Sequence, residues 1–296
     1  MLKQRIVRTL FAMAALAASL ATLSVAPAMA EREGEYKVFE HCPLTVKGVK
    51  GCLVARTESG EIDIGKLSVP IVSTQTLQGG FSENRETGAL TFIAAANGET
   101  FSKTPQKVAG GLFGIKCEEV KGHGRLERGI RGACEYLFEH GLAEVRATTE
   151  LATTASSIGL NENNLLLESG TALSLPVKVK LDNPLLGSDC YIGSESEPIT
   201  LNLTSGTSGS LKGRVGLPST RGEGGILVVS FNTLVDSGFS APKATGCGIF
   251  GLLDGIIDKQ IGLPASSADL ATLNDTLEQA SAALVRVVYE EEEQEA

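Results

Sequence analysis

The sequence predicts a mainly β protein: an antiparallel sandwich or barrel with a few short helices and a C-terminal helix, stapled by disulfides. Three observations carry that reading. Short segments of polar–apolar alternation recur through the middle of the chain, which is the period of a strand with one wet face. The 296 residues include 34 glycines, many of them standing between those segments as turns. Six cysteines, an even number, can supply the staples.

The elements follow in chain order. Lys3, Arg5 and Arg8 make a basic start, and Leu10 to Val25 is apolar, Ala-rich and uncharged. Ala28-Met29-Ala30 then offers the small-x-small pattern that signal peptidase accepts. Residues 1–30 therefore read as an export signal, cleaved between Ala30 and Glu31. The apolar stretch is short for a membrane span, which takes about 20 residues. Loss of the three bases takes the formal charge from −9 to −12.

Strands are expected over 52–57, 62–72, 89–95, 144–151, 173–181, 199–203 and 225–235. The clearest is Leu173–Leu181, with apolar residues at every odd position and Ser174, Lys178 and Lys180 between them. Pro176 lies on its polar register, which points to an edge or a bulge there. Ile226-Leu227-Val228-Val229 reads as a strand buried more fully.

Three helices interrupt this pattern. Leu126, Ile130, Ala133, Leu137 and Phe138 fall on one helical face, with Gly141 as a C-terminal cap. Ile249, Leu252, Leu253, Ile256, Ile257 and Ile261 form a second apolar stripe, expected to pack on the sheet. Ala268 to Val288 is the third, with Leu270, Leu273, Leu277, Ala280, Leu284 and Val287 at helical spacing, although Thr276 to Gln279 also fits a strand. No composition break marks a linker. Residues 31–289 read as one β-rich globular domain, or two closely packed subdomains, and 290–296 as an acidic disordered tail of mutually repelling glutamates.

Cysteine spacing separates disulfides from zinc. The closest pairs are ten residues apart (Cys42, Cys52) and seventeen apart (Cys117, Cys134), not the two to four a metal knuckle uses. His41, His123 and His140 add no paired spacing. The entropically least demanding scheme is sequential: Cys42–Cys52, Cys117–Cys134 and Cys190–Cys247.

Several activities are disfavoured by the residues themselves. An acidic chain with no Trp and no basic block is a poor match for nucleic acid, which needs phosphate-neutralising Lys and Arg. Gly60 to Lys66 has phosphate-loop spacing, but Leu67 stands where a hydroxyl must hold magnesium, and Glu61 and Asp63 would repel phosphate. Gly246 to Gly251 fits the dinucleotide pattern, yet Cys247 occupies it and no strand runs directly into it. Ser240 lacks the second glycine of a nucleophile elbow, Pro242 standing there instead. The acidic pairs Glu118-Glu119, and Glu195 with Glu197, suit glycoside chemistry only if folding sets them ~5–9 Å apart. Nothing calls for a catalytic residue, a cofactor or a metal, so the reading leans away from an enzyme.

A resemblance adds to this. Phe39-Glu40-His41-Cys42-Pro43-Leu44, Thr76-Leu77-Gln78-Gly79-Gly80, Ser157–Glu162 and above all Leu173–Gly193 resemble segments of a family of secreted proteins from high-GC Gram-positive bacteria, the actinobacteria. The similarity spans most of the chain after residue 30. It implies export and brings with it no activity, ligand or catalytic residue. The expectation is an exported, non-catalytic binding or structural module of the envelope or exterior, secreted or held to the envelope by contacts rather than by a span. A carrier of an apolar ligand and a secreted hydrolase are the alternatives.

Overall fold

The structure is a computed structural model that describes residues 34–84, 90–111, 125–136 and 143–295. Residues 1–30 with the cleavage point Ala30/Glu31, together with Cys117, Glu118, Glu119, His123, Leu137, Phe138, His140 and Gly141, lie outside the described residues. The fold is mainly β, antiparallel throughout its pairings, with four α-helices among the described residues.

The first half of the chain contributes β1 (Gly51–Ile64), β2 (Leu67–Ile71), β3 (Gln75–Glu83), β4 (Leu90–Ala94), β5 (Gln106–Lys107), α1 (Arg125–Cys134) and β6 (Arg146–Leu151). Next come β7 (Gly159–Leu160), α2 (Glu162–Leu166), β8 (Leu173–Asp182), β9 (Tyr191–Ile192), β10 (Ile199–Leu203), β11 (Thr207–Ser208), β12 (Leu211–Lys212) and β13 (Leu217–Arg221). The chain closes with β14 (Ile226–Ala241), β15 (Ala244–Thr245), α3 (Asp254–Ile261), β16 (Ala265–Ser281) and α4 (Ala282–Glu295).

Two seven-stranded sheets result. The first runs β13-β14-β16-β1-β3-β4, with β2 folded back on β1; the second runs β15-β9-β8-β6-β5, with β7 and β10 also on β8. They join along both sides. Thr204, just past β10, bridges Val235 of β14 through backbone bonds of 3.0 and 2.9 Å. Opposite, the Gln106 amide accepts from the N–H groups of Val72 and Ser73 at 2.9 and 3.0 Å and donates to Ser73 O at 2.7 Å. Between the sheets lies the main core, including Leu53, Ile64, Phe92, Val177, Leu201 and Leu203. A second cluster covers the outer face of the first sheet, where Cys52, Val54 and Ile226 meet Phe39 and Val285. Residues 51–54 are therefore buried without alternation: Leu53 faces one cluster, Cys52 and Val54 the other.

Several expectations need correction. The helix expected over 268–288 is two elements: β16 followed by α4. Leu270, Leu273 and Leu277 fit a helical period, but Asp269, Ala271, Leu273, Asp275 and Leu277 are buried in turn, at a strand's period, and Glu278 and Ala280 are buried on the other face. Two flanking strands decide the matter, since β1 and β14 both pair with β16 through most of its length. The tail expected to be disordered continues α4 through Glu295. Its first turns are docked: Tyr289 donates to Tyr36 O at 2.8 Å and Arg286 to Leu44 O at 2.6 Å, so the acidic turns extend a helix already nucleated.

β8 has neighbours on both sides, but at Pro176 only β10 pairs, through Thr200, so the proline sits at a local edge between the end of β6 and the start of β7. It is tolerated because β6 ends opposite Val177, one position before it would need the missing N–H. The strand expected over 62–72 is a hairpin turning at Gly65-Lys66, and β3 was not foreseen. On α1, Ile130 and Ala133 are exposed where an apolar face was expected, and Cys134 is buried.

The disulfides Cys42–Cys52 and Cys190–Cys247 form as the sequential scheme requires. Cys134 is also disulfide-bonded, while its expected partner Cys117 lies outside the described residues.

Candidate functional site

The segment 246–261 departs most from what apolar patterning demands. Its expected stripe is broken by a 3₁₀ turn, Ile249–Gly251, in which Phe250 adopts the left-handed conformation (φ 55°, ψ 28°). The helix starts only at Asp254, and the stripe divides. Ile257 and Ile261 are buried in the core, whereas Ile249, Phe250, Leu252 and Ile256 are 75, 98, 77 and 62% exposed. Four large apolar side chains thus project from one tip.

The backbone of the tip is fixed from several directions. Cys247 is bonded to Cys190, beside β9 of the second sheet. Asp254 Oδ1 accepts from Cys247 N at 2.7 Å, Leu253 N donates to Cys247 O at 2.9 Å, and Gly248 N donates to Leu186 O at 2.7 Å. Gly248 has φ 74°, and a Cβ there would stand 2.6 Å from Leu253 Cγ, so only glycine fits. The pattern Gly246–Gly251 is explained by these left-handed turns, not by a phosphate. A non-glycine residue held at positive φ stores strain, which persists only where the surroundings over-determine it.

The charged groups around the tip and its helix balance in number, Lys66, Lys243 and Lys259 against Asp189, Asp254 and Asp258. Asp254 and Asp258 both turn a carboxylate oxygen inward, Asp258 accepting from Ala244 N at 2.8 Å. Lys66, Lys243 and Lys259 stay exposed and make no ion pair among the described residues. Lys259 continues the exposed side of the helix, three residues after Ile256. Lys66 donates its N–H to Ile261 O at 2.8 Å, at the helix C-terminus. Asp189 remains an exposed acid beside the loop.

Two other places deserve comparison. Between the sheets, Leu77, Leu175, Leu201, Leu234 and Leu273 enclose about 30 Å³ beside Asp275. That is one water's share of space, too small for a lipid tail. Burial pushes the Asp275 carboxyl up to about 7, against a lowering by its own backbone N–H. Asp275 Oδ1 has no hydrogen-bond partner. On the outer face of the first sheet, an open polar cleft holds Glu278 between two guanidinium groups. Arg56 Nη1 lies 2.5 Å from Glu278 Oε2, and Arg221 Nε donates to Oε1 at 2.9 Å. Arg221 also donates to Glu35 O at 2.9 Å, so the cluster pins the 3₁₀ turn Glu35–Phe39 onto the sheet.

The residues weighed for catalysis stand apart. His41 lines that cleft with Glu40 at 3.4 Å, and Ser240 is exposed on β14 opposite Ser266, not among the cleft residues. Glu195 and Glu197 lie in the loop between β9 and β10, with Glu197 N donating to Ser194 Oγ at 3.0 Å. Gly60 lies within β1, where a Cβ would meet Thr272 O at 2.1 Å, so its role in the phosphate-loop spacing is close strand packing. Among the described residues no group of three His, Cys, Asp or Glu could hold a metal, and no helix is long and apolar enough to cross a membrane. Compared with protein-family models, curated proteins and solved structures, the chain matches none.

Two features escaped the sequence reading: the outward apolar tip and the buried Asp275. A signal for the tip was present in Gly246, Gly248 and Gly251, which resist helix formation through the stripe.

Proposed function

We propose that this chain is an exported, non-catalytic binding module that attaches to the envelope of the producing cell by contact. The single observation behind this reading is the tip: four large apolar side chains left exposed on a segment held by a disulfide, glycine turns, two backbone bonds and the Asp254 side chain. Folding gains nothing from burying them, so the rigid frame serves an external contact. The disulfides suit an oxidising compartment, as does the signal-like sequence of residues 1–30. The described interior favours this over a carrier, because its cavities, about 30 Å³ beside Asp275 and about 100 Å³ between Leu67, Leu181 and Ile257, fall well short of a ligand pocket's several hundred.

Fractionation tests the reading. The exported chain should co-sediment with isolated envelope, and a variant carrying Ile249→Ser, Phe250→Ser, Leu252→Ser and Ile256→Ser should remain in the supernatant. Equal sedimentation of both would overturn it.

A further inference from the structure

We infer that the folded chain crosslinks itself: Thr57 Oγ1 attacks Gln75 Cδ, ammonia leaves, and an ester joins β1 to β3 inside the core, with Asp275 carrying the proton. This is independent of the attachment reading above. A nucleophile, an electrophile and a proton carrier stand in one cross-strand row.

Register makes the row. Thr57 of β1 stands opposite Gln75 of β3 on one side and opposite Asp275 of β16 on the other. All three line the same small cavity between the sheets, so they share the core-facing side. Directly opposite residues of an antiparallel pair have Cβ atoms ~5 Å apart, within reach of a glutamine side chain turned onto its neighbour's hydroxyl. In the unreacted form the three side chains make no hydrogen bond to one another, and the cavity of about 30 Å³ leaves Thr57 room to turn onto the amide.

Burial supplies the drive. Gln75 is 4% and Asp275 8% exposed. Asp275 Oδ1 has no hydrogen-bond partner, and the Gln75 side-chain amide has none among the described residues. Buried polar groups cost free energy while unsatisfied. One water would fill the cavity, but it makes at most about four hydrogen bonds, fewer than the amide, the carboxyl and the hydroxyls of Thr57 and Thr149 call for together. The ester removes two of these demands, because the amide nitrogen departs and the hydroxyl proton goes with it.

The step balances within the chain. The Thr57 Oγ1–Cδ bond forms as the Gln75 Cδ–Nε2 bond breaks, and the hydroxyl proton passes through the Asp275 carboxylate to the departing nitrogen. Burial lifts that carboxyl to about 7, where it takes and returns a proton with equal ease. Leu77, Leu175, Leu201, Leu234 and Leu273 wall the row and exclude the water that would hydrolyse the product. Thr57 itself is half-buried, which leaves ammonia a way out. Asp275 comes from β16, near the end of the chain, so the bond forms only once the fold is complete.

Mass spectrometry of the full chain, folded and then reduced and unfolded, tests the inference. The wild-type chain should weigh one ammonia less than its sequence requires. Trypsin should leave Thr57–Lys66 and Leu67–Arg85 joined after the cut at Lys66, and hydroxylamine, which opens esters and spares amides, should part them. Thr57→Val and Gln75→Leu should carry their full masses, and Thr57→Ser should again lose ammonia. Asp275→Asn should accumulate the link ~100-fold or more slowly after synthesis. A melting curve for each variant establishes that it folds, and the wild-type mass and hydroxylamine cleavage decide the matter without any variant.

A wild-type chain of full mass overturns the inference and leaves the cavity to a buried water. So does an ammonia loss that survives Thr57→Val, or a link from Gln75 to Thr149. An Asp275→Asn chain that links as fast as wild type overturns the part given to Asp275.

Discussion

Asp275 pairs with Thr57 on one side and Asn232 on the other, at places where both neighbouring strands slip in register. Its carboxyl, pushed up to about 7 by burial, is neutral in the fold at mildly acidic pH. In the unfolded chain it ionises near 3.8. Protonation therefore favours the fold. The stability it contributes is complete below the unfolded value and is lost as pH rises through the folded one. The window is about pH 4 to 7, and the full difference is about 4 kcal/mol. Asp275→Asn should remove most of that slope, leaving stability flatter across the window than in wild type. Urea denaturation at pH 4, 5.5, 7 and 8 measures it, and parallel wild-type and variant curves would refute the assignment. None of this was readable beforehand, because Asp275 occupied a polar position on what looked like an amphipathic helix. Its burial follows from strand alternation and from neighbours more than 40 positions away in the chain.

At the level of elements, the strands with clean alternation were legible. Leu173–Leu181 and Ile199–Leu203 appear as β8 and β10, because one face of each is core and the period is local. What failed were segments satisfying two periods at once. Leu273 and Leu277 serve a strand and a helix equally, and only pairing with β1 and β14 settles which forms. The stripe at 249–261 fails differently: its hydrophobicity predicts burial, while its glycines spell turns. Phe250→Gly follows from that geometry. Positive φ costs Phe about 1–2 kcal/mol, and glycine returns part of the gain to the unfolded chain, so the variant should be more stable by about 0.5–1 kcal/mol. No buried contact is lost, since the ring is 98% exposed. The same variant should attach less well to the envelope. A denaturation midpoint that fell instead would mean the ring packs on something within the fold.

For the whole molecule, the disulfides act at different reach. Cys42–Cys52 closes ten residues inside one corner, while Cys190–Cys247 spans 57 and joins the second sheet to the base of the tip. Loop entropy assigns about 3 kcal/mol to the first and about 4 to the second. Cys190→Ser with Cys247→Ser should therefore lower the melting temperature more than Cys42→Ser with Cys52→Ser. Thermal melts of the two double variants decide between them. The order of strands in the first sheet has a kinetic consequence as well. Its central strand, β16, is drawn from near the end of the chain, and Gly51 must find Ser281 to seat β1 beside it. Until Ala265–Ser281 is available, β1 and β14 each lack a neighbour and the sheet has a gap at its middle. Contacts so distant in sequence fold slowly, on the scale of milliseconds to seconds or longer. A polypeptide emerging from its N-terminus would stay pliable, and open to chaperones and to threading through a narrow channel, until its last strand arrived.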